Sequence, residues 1–206
     1  MKERLFEALK HSDADYADIR LELEDNTSVT YRGREVENLS SVRWYGGFVR
    51  ACVKGGWGYV SFDDTENLGE KVRDACQFAR RVGNEKTVLA DVDPVDIEVS
   101  AEMQTDFRSV DFDEKVRMLN GYNDIILKAD PAIESSNVAY GEKFRTVYFA
   151  STRGTYFMEE RPRVILRATA IARDGTLVQR ATENTSSTND FNVVYGMEEK
   201  VREAAD

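Results

Sequence analysis

Hydrophobic and polar residues alternate with two different periods along this chain, and the changes of period delimit the predicted elements. Leu5, Phe6 and Leu9 form a short apolar stripe with helical spacing. Apolar and charged residues then alternate over residues 19–24, as they do in a β-strand with one exposed face. Further strand-like segments follow at residues 29–31, 42–44, 49–53 and 57–62. The first part of the chain is therefore predicted to be a helix followed by an antiparallel meander.

Glycine pairs and a second helix complete this first unit. Gly46-Gly47 and Gly55-Gly56 are both hairpin signals, because glycine adopts the backbone angles of tight turns. A helix follows, with Asp64 or Thr65 as its N-cap and Gly83 as its C-terminal cap. Its apolar stripe consists of Leu68, Val72, Ala75, Cys76, Ala79 and Val82. The cysteine in this stripe is predicted to be a core residue rather than a reactive thiol.

A second unit repeats this order of elements. Asp111 and Glu114 resemble a capping box at the start of a helix, and Asp130-Pro131 ends that helix. Asp174-Gly175 is a hairpin turn, and the polar run 184–190 is predicted to be an exposed, mobile loop. The predicted strands and a final helix lie at residues 136–140, 146–150, 155–158, 164–173, 177–182 and 198–206.

These elements predict an α+β fold of antiparallel β meanders with helices packed on one face. We divide the chain into a first helix–meander–helix unit at 1–84, a connector at 85–110 and a second helix–meander–helix unit at 111–206. One extra edge strand is predicted at 95–99 within the connector. The matching order of elements suggests an internal duplication, whereas the weak identity between the units leaves an independent origin open.

Composition excludes several classes of protein. The chain has 206 residues, is 41% hydrophobic and carries a net charge of −10, which is typical of an acidic globular protein. An acidic surface repels phosphate, so we expect no direct binding to nucleic acid or to an anionic membrane. No apolar run is long enough to span a membrane, and the start lacks a secretory apolar stretch. Two cysteines make no disulfide framework, so a reducing cytoplasm is the simplest compartment.

The chain also lacks the residues of the common hydrolytic sites. A hydrolytic zinc site needs about three protein ligands, mostly histidines, and this chain has only His11. That histidine follows a short helix, where the free carbonyls and the helix dipole explain it better than a ligand role. No Gly-x-Ser-x-Gly elbow or phosphate-binding loop occurs. No catalytic or metal-binding residue is therefore assigned.

Other polar and aromatic features have a structural and a functional interpretation. Trp44 and Trp57 flank the glycine pairs, and we favour core packing over a stacking platform for a ligand. Arg161, Arg163 and Arg167 are better explained as an exposed strand face than as a carboxylate site. An enzyme that uses carboxylates from distant residues stays open, and it predicts a buried Asp or Glu in a cleft.

Several segments together resemble one known family. They are residues 14–20, residues 47–51 leading to Gly56-Trp57-Gly58-Tyr59, the turn 151–154 followed by 160–163, and the capped helix from Asp111. In this order and spacing they resemble the amino-terminal half of the TldD/PmbA metallopeptidases, also called modulators of DNA gyrase. Within the family, the TldD branch is the more similar.

The resemblance implies a two-part zinc peptidase that acts on small or unfolded peptides. In the family, a His-Glu-x-x-x-His helix and a later cysteine bind zinc in the carboxy-terminal half. This sequence contains no such motif, so we expect the catalytic domain to be absent from it and the chain to be inactive and zinc-free alone. It would instead contribute to a homodimer, or to a heterodimer with a relative, and to the cleft that admits peptide. The residues that bind substrate are left unassigned.

The alternative is a free-standing, non-catalytic module that binds peptides or a partner. Such a module would capture an extended peptide at an exposed sheet edge. The two hypotheses differ in the length of the native product, because the first requires a longer protein that contains the metal motif.

Overall fold

A computed structural model describes residues 1–85 and 87–205 of the chain and has an α+β fold. Its helices are α1 (Lys2–Leu9), α2 (Leu68–Val82), α3 (Phe112–Ala129) and α4 (Glu198–Glu203), with short 3-10 turns at Phe107–Ser109 and Phe191–Val194. Its strands are β1 (Tyr16–Arg32), β2 (Glu35–Val53), β3 (Gly56–Phe62), β4 (Asp96–Val99), β5 (Ile133–Ser151), β6 (Tyr156–Asp174) and β7 (Leu177–Ser187). None of the helices within the described residues is long and apolar enough to cross a membrane.

The strands form one sheet in the order β3-β2-β1-β5-β6-β4, with β7 also paired to β6. The β2–β3 and β6–β7 pairs are antiparallel, and β4 runs parallel to the first residues of β6. β4 pairs with residues 156–159 of β6, whereas β7 pairs with residues 164–174. Strand β4 confirms the predicted extra strand in the connector.

The chain forms two compact units, and each is assembled from three segments. The first contains Met1–Glu24, Arg43–Ser100 and Arg145–Glu160. The second contains Asp25–Val42, Ala101–Phe144 and Arg161–Asp206. The predicted units at 1–84 and 111–206 were each one continuous segment of the chain. In the structure, by contrast, strands β1, β2, β5 and β6 each have residues in both compact units.

In the first unit, one face of the strands packs against α1 and α2. Ala17, Ile19 and Leu21 of β1 are fully buried there, as period-two alternation requires. The predicted stripe of α2 is confirmed from Leu68 to Ala79, and Cys76 is only 1% exposed. The last residue of the predicted stripe, Val82, is exposed.

Strand β3 comes so close to α2 that glycine is needed at two positions. A Cβ on Gly58 would lie 2.1 Å from the carbonyl oxygen of Ala75, and one on Gly56 would lie 2.3 Å from the Gly83 nitrogen. Any larger residue would push the strand away from the helix. The Gly-Trp-Gly sequence is thus explained by backbone packing on both sides of the tryptophan.

The second unit has its own apolar core between its strand segments and helices α3 and α4. Leu119, Tyr122 and Ile126 of α3 are buried, and Val201 of α4 joins the same cluster. Val164, Leu166, Ala168 and Ala170 of β6 contribute from the sheet, as their alternation predicts. Asp111 caps α3 by accepting hydrogen bonds from the backbone amides of residues 113 and 114, which confirms the predicted cap.

The predicted hairpin at Gly46-Gly47 is wrong, because both glycines lie inside β2. A Cβ on Gly47 would lie 2.3 Å from the carbonyl oxygen of Arg20, so glycine permits a close backbone approach within the sheet. The hairpin predicted at Gly55-Gly56 does join β2 to β3, with its turn at Lys54 and Gly55, which both have positive φ. The predicted N-cap of α2 is also wrong, since Asn67 occupies that position without a side-chain hydrogen bond.

Strands predicted as separate segments are continuous in the structure. Residues 136–140 and 146–150 belong to β5, and residues 155–158 and 164–173 fall almost entirely within β6. Pro162 is tolerated inside β6 because it lies between the residues paired to β4 and those paired to β7. The loop predicted at 184–190 is partly wrong, since residues up to Ser187 extend β7.

A buried ion pair links α3 to β5 in the second unit. The ammonium of Lys115 lies 2.9 and 2.8 Å from the two carboxylate oxygens of Glu142 and donates to the carbonyl oxygen of Phe107 at 2.7 Å. Both side chains are at most 7% exposed. Tyr140 donates a further hydrogen bond to the same carboxylate. Every polar group of this cluster is thereby paired inside the core.

We expect Lys115→Met to lower the free energy of unfolding by about 3–5 kcal/mol, because it leaves the Glu142 carboxylate buried without a cation. Urea unfolding followed by circular dichroism measures this loss. Lys128→Met is the matched control, since Lys128 forms an exposed i,i+4 pair with Asp124 that is worth about 0.3–0.5 kcal/mol. Equal losses for the two variants would contradict the buried pair.

Candidate functional site

A cavity of about 380 Å³ opens on the face of the first unit's sheet that is opposite α1 and α2. Tyr16 of β1, Arg50 of β2 and Trp57 of β3 contribute to its walls. Phe149 of β5 and Arg153 from the turn after β5 complete the sheet side, while Leu89, Ala90 and Val92 close another side. The side chains meet here because β3, β2, β1 and β5 are neighbours in the sheet.

Arg50, which lines the cavity, forms an ion pair with Asp18. Asp18 is fully buried, and the guanidinium of Arg50 donates to its two carboxylate oxygens at 3.1, 3.1 and 2.6 Å. The pair raises the pKa of Arg50 above its usual value through the hydrogen bonds to Asp18. The same guanidinium lies 5.5 Å from the centre of the Trp57 ring. Arg50 is therefore held as a permanent cation beside an aromatic wall.

Tyr16 and Arg153 also line the cavity and lie next to each other. The guanidinium of Arg153 lies 5.7 Å from the centre of the Tyr16 ring and donates to the carbonyl oxygen of Ala90 at 2.6 Å. Tyr16 packs edge-on against Trp57 at 6.1 Å between ring centres. Burial, and then the charge of Asp18 and a hydrogen bond to it, raise the pKa of Tyr16 to about 12. The phenol is therefore uncharged at neutral pH.

His11 takes no part in this cavity. Its backbone amide donates to the carbonyl oxygen of Ala8, while Arg73 donates to its ring Nδ1 at 3.0 Å. A Cβ on Gly69 would lie 2.3 Å from the imidazole, so the ring packs directly on α2. The prediction that the His11 ring interacts with the carbonyls of its own helix is wrong, because the side chain turns toward α2 instead.

The side chains that the structure describes do not fit a zinc site. Within residues 1–85 and 87–205, no group of three or more His, Cys, Asp or Glu side chains is close enough to hold a metal ion. The two cysteines are buried, and Cys76 contacts the hydroxyl of Ser12 at 3.5 Å. No reaction step is derived through a metal in this part of the protein.

The tryptophans and arginines singled out in the sequence separate in the structure. Trp44 is 50% exposed, so its predicted core packing is wrong, because β2 continues past the end of β3 at that point. Trp57 is half-buried and lines the cavity. Arg163 and Arg167 are exposed on β6, as predicted for an exposed strand face.

Two carboxylates are buried in the part of the chain that the structure describes, namely Asp18 and Glu142. Each is bound by a cationic side chain, and they belong to different compact units. They do not form the pair that a carboxylate-based hydrolase requires. The buried carboxylates are thus explained by ion pairing.

Sequence reasoning missed the polar side chains in and beneath the cavity. Tyr16, Asp18 and Arg50 occur in segments that carry the family resemblance, but no motif marks them as a site. The available signal was the pair of opposite charges, Asp18 and Arg50, each next to apolar positions of its strand. Arg153 gave no signal of its own, since it lies in a predicted turn with no motif around it.

The sequence of this chain matches two domain models of one known family. Residues 17–82 match the family model of the PmbA/TldA metallopeptidase domain 1, and residues 105–206 match that of the PmbA/TldA metallopeptidase central domain. The chain belongs to the TldD/PmbA metallopeptidase family. The family models name both branches together, so the TldD-like assignment stays a prediction.

Relatives extend over most of this chain. A metalloprotease of Synechocystis sp. is 32% identical over 195 residues, which cover 94% of this chain and 42% of that protein. A metalloprotease of Methanocaldococcus jannaschii is 25% identical over 177 residues, which cover 83% of this chain and 39% of that protein. The chain thus spans less than half the length of these relatives.

Solved structures share the fold. A proposed modulator of DNA gyrase from Bacteroides thetaiotaomicron superposes with a TM-score of 0.81 at 20% identity and covers 98% of this chain and 48% of that one. TldE from Thermococcus kodakarensis superposes with a TM-score of 0.78 at 15% identity and covers 100% of this chain and 47% of that one. The predicted α+β fold is confirmed by these TldD/PmbA structures.

We expect Asp18→Asn to lower the pKa of Tyr16 below about 12, because it removes the negative charge that opposes ionisation of the phenol. In the wild-type protein, the stability that neutral Tyr16 contributes is complete below about pH 10 and is lost as the pH rises toward 12. Tyrosine ¹³C NMR titration measures the pKa, with Tyr16→Phe to assign the signal.

Asp74→Asn is the matched control, since Asp74 is exposed on α2 and does not line the cavity. Its Tyr16 signal should titrate as in the wild type. A wild-type Tyr16 that titrates near 10 would contradict the buried, Asp18-bound phenol described here.

Proposed function

We propose that this chain supplies the first and central domains of a TldD/PmbA-like zinc metallopeptidase that hydrolyses small or unfolded peptides. The observation that carries the proposal is the pair of domain matches at 17–82 and 105–206. Two relatives of more than twice this length are metalloproteases. Zinc and the catalytic residues would come from the remaining part of the protein, since the described residues contain no cluster that fits a metal.

The contribution of this chain would be to form the dimer and to line the cleft that admits peptide. The stretch of β2 from 35 to 46 supports a role in assembly, because β3 pairs only with residues 47–53. This stretch also exposes Val36, Leu39 and Val42, which are each at least 50% accessible. A strand edge that extends past its neighbour and has exposed apolar side chains favours pairing with another chain. The partner would be an identical chain or a family relative.

The alternative of a free-standing binding module draws on the same features without catalysis. The exposed stretch of β2 would capture an extended peptide by strand addition. A module of this kind needs no metal, so its complete gene product would lack the metal motif that the peptidase requires.

The test compares zinc content and peptide hydrolysis of this 206-residue chain with those of the product of the complete gene. We expect one zinc per subunit and hydrolysis of an unfolded peptide only in the complete product, measured by elemental mass spectrometry and by mass analysis of the peptide. A variant of the complete product that lacks the first histidine of its metal motif is the control for activity.

Stoichiometric zinc in the 206-residue chain would overturn the proposal. A complete gene product without zinc or hydrolysis would favour the binding module. Inactivity of the chain together with activity of the complete product is the result expected for domains that position a substrate.

A further inference from the structure

We infer that the cavity bounded by Tyr16, Arg50, Trp57, Phe149 and Arg153 binds the free carboxylate end of an apolar peptide. The inference goes beyond the proposed function, because it assigns a ligand to residues of this chain and requires no metal. Its basis is the combination of two guanidinium groups with aromatic walls in one cavity of the first unit.

The charge of the cavity is opposite to that of the protein. Arg50 and Arg153 are the charged side chains that line it, in a chain whose net charge is −10. Asp18 is fully buried, and its carboxylate is bound to Arg50. The phenol of Tyr16 adds no negative charge at neutral pH, since its pKa is raised to about 12. An anion is therefore the ligand that this cavity attracts.

The two arginines differ in what they can offer to a ligand. The Nε and Nη2 of Arg50 are used by Asp18. Arg153 uses Nη1 for the carbonyl oxygen of Ala90, and within the described residues its other guanidinium nitrogens have no hydrogen-bond partner. A planar guanidinium with two remaining donors matches a carboxylate. Arg153 is thus the carboxylate-binding group and the source of the net positive charge of the cavity, because the charge of Arg50 is balanced by Asp18.

The remaining walls fit an apolar side chain. Trp57 and Phe149 present rings from the sheet, and Leu89 and Val92 present aliphatic side chains from the segment before β4. A volume of about 380 Å³ lies at the lower end of the range of about 300–1,000 Å³ that is usual for small-ligand cavities. That space suits one or two residues at the end of a peptide rather than a folded surface.

The hydrogen bond from Arg153 to Ala90 shows that this part of the cavity already binds a backbone carbonyl oxygen. A peptide that enters along the segment 89–92 would place its final carboxylate at the free donors of Arg153. Its last side chain would then contact Trp57. A peptide with a blocked carboxyl end lacks the charge and should bind weakly.

Trp57 reports on this binding directly, because the chain has only two tryptophans. In a Trp44→Phe background, we expect N-acetyl-leucyl-phenylalanine to change the Trp57 emission saturably. The same dipeptide as its carboxamide should bind at least about tenfold more weakly. In a Trp57→Phe background, Trp44 should show no response, since it lies outside the cavity.

Arg153→Gln and Arg153→Lys test the assigned group. Both should weaken binding of the free acid at least about tenfold and leave binding of the carboxamide unchanged. Glutamine removes the positive charge, whereas lysine keeps the charge but lacks the planar fork of the guanidinium. Arg163→Gln is the matched control, since Arg163 is exposed on β6 away from the lining residues. Circular dichroism confirms that each variant is folded.

Equal binding of the acid and the carboxamide to the wild-type cavity would overturn the inference, and so would unchanged binding by a folded Arg153→Gln. A lack of any saturable response of Trp57 would overturn it as well. Zinc content plays no part in these measurements, so the inference and the proposed function fail separately.

Discussion

The alternation of side chains along β1 is the constraint on which the first unit depends. Ala17, Ile19 and Leu21 are buried beneath the helices, while Tyr16 and Asp18, which alternate with them, point to the opposite face. A shift of one residue would place the Asp18 carboxylate among the apolar side chains of α1 and α2. The Asp18–Arg50 pair and the apolar core therefore fix the same register from the two faces of the sheet.

The glycines of β3 connect this register to the cavity. Gly56 and Gly58 allow the strand to approach α2, and the residue between them must then point away from the helix. That residue is Trp57, whose ring forms a wall of the cavity and lies near Arg50. Helix packing on one face of the sheet thus determines the position of the aromatic wall on the other face.

Local patterns predicted the helices well, because their signals are contained in short segments. The stripe of α2 and the Asp111 cap of α3 are examples. Continuity of the strands could not be predicted, since the Gly46-Gly47 pair and Pro162 usually interrupt strands and are accommodated here by distant contacts. The cavity could not be predicted either, because its residues come from separate segments that only the sheet order brings together.

In this account the chain forms the first and central domains of a larger peptidase and contains a carboxylate-binding cavity, and its described residues hold no metal site. The central claim is tested most directly by the mass of the native protein in its source cells, detected with an antibody against this region. The account predicts a band of roughly twice 23.4 kDa, in keeping with relatives of which this chain covers 42% and 39%. A single band at 23.4 kDa would contradict it.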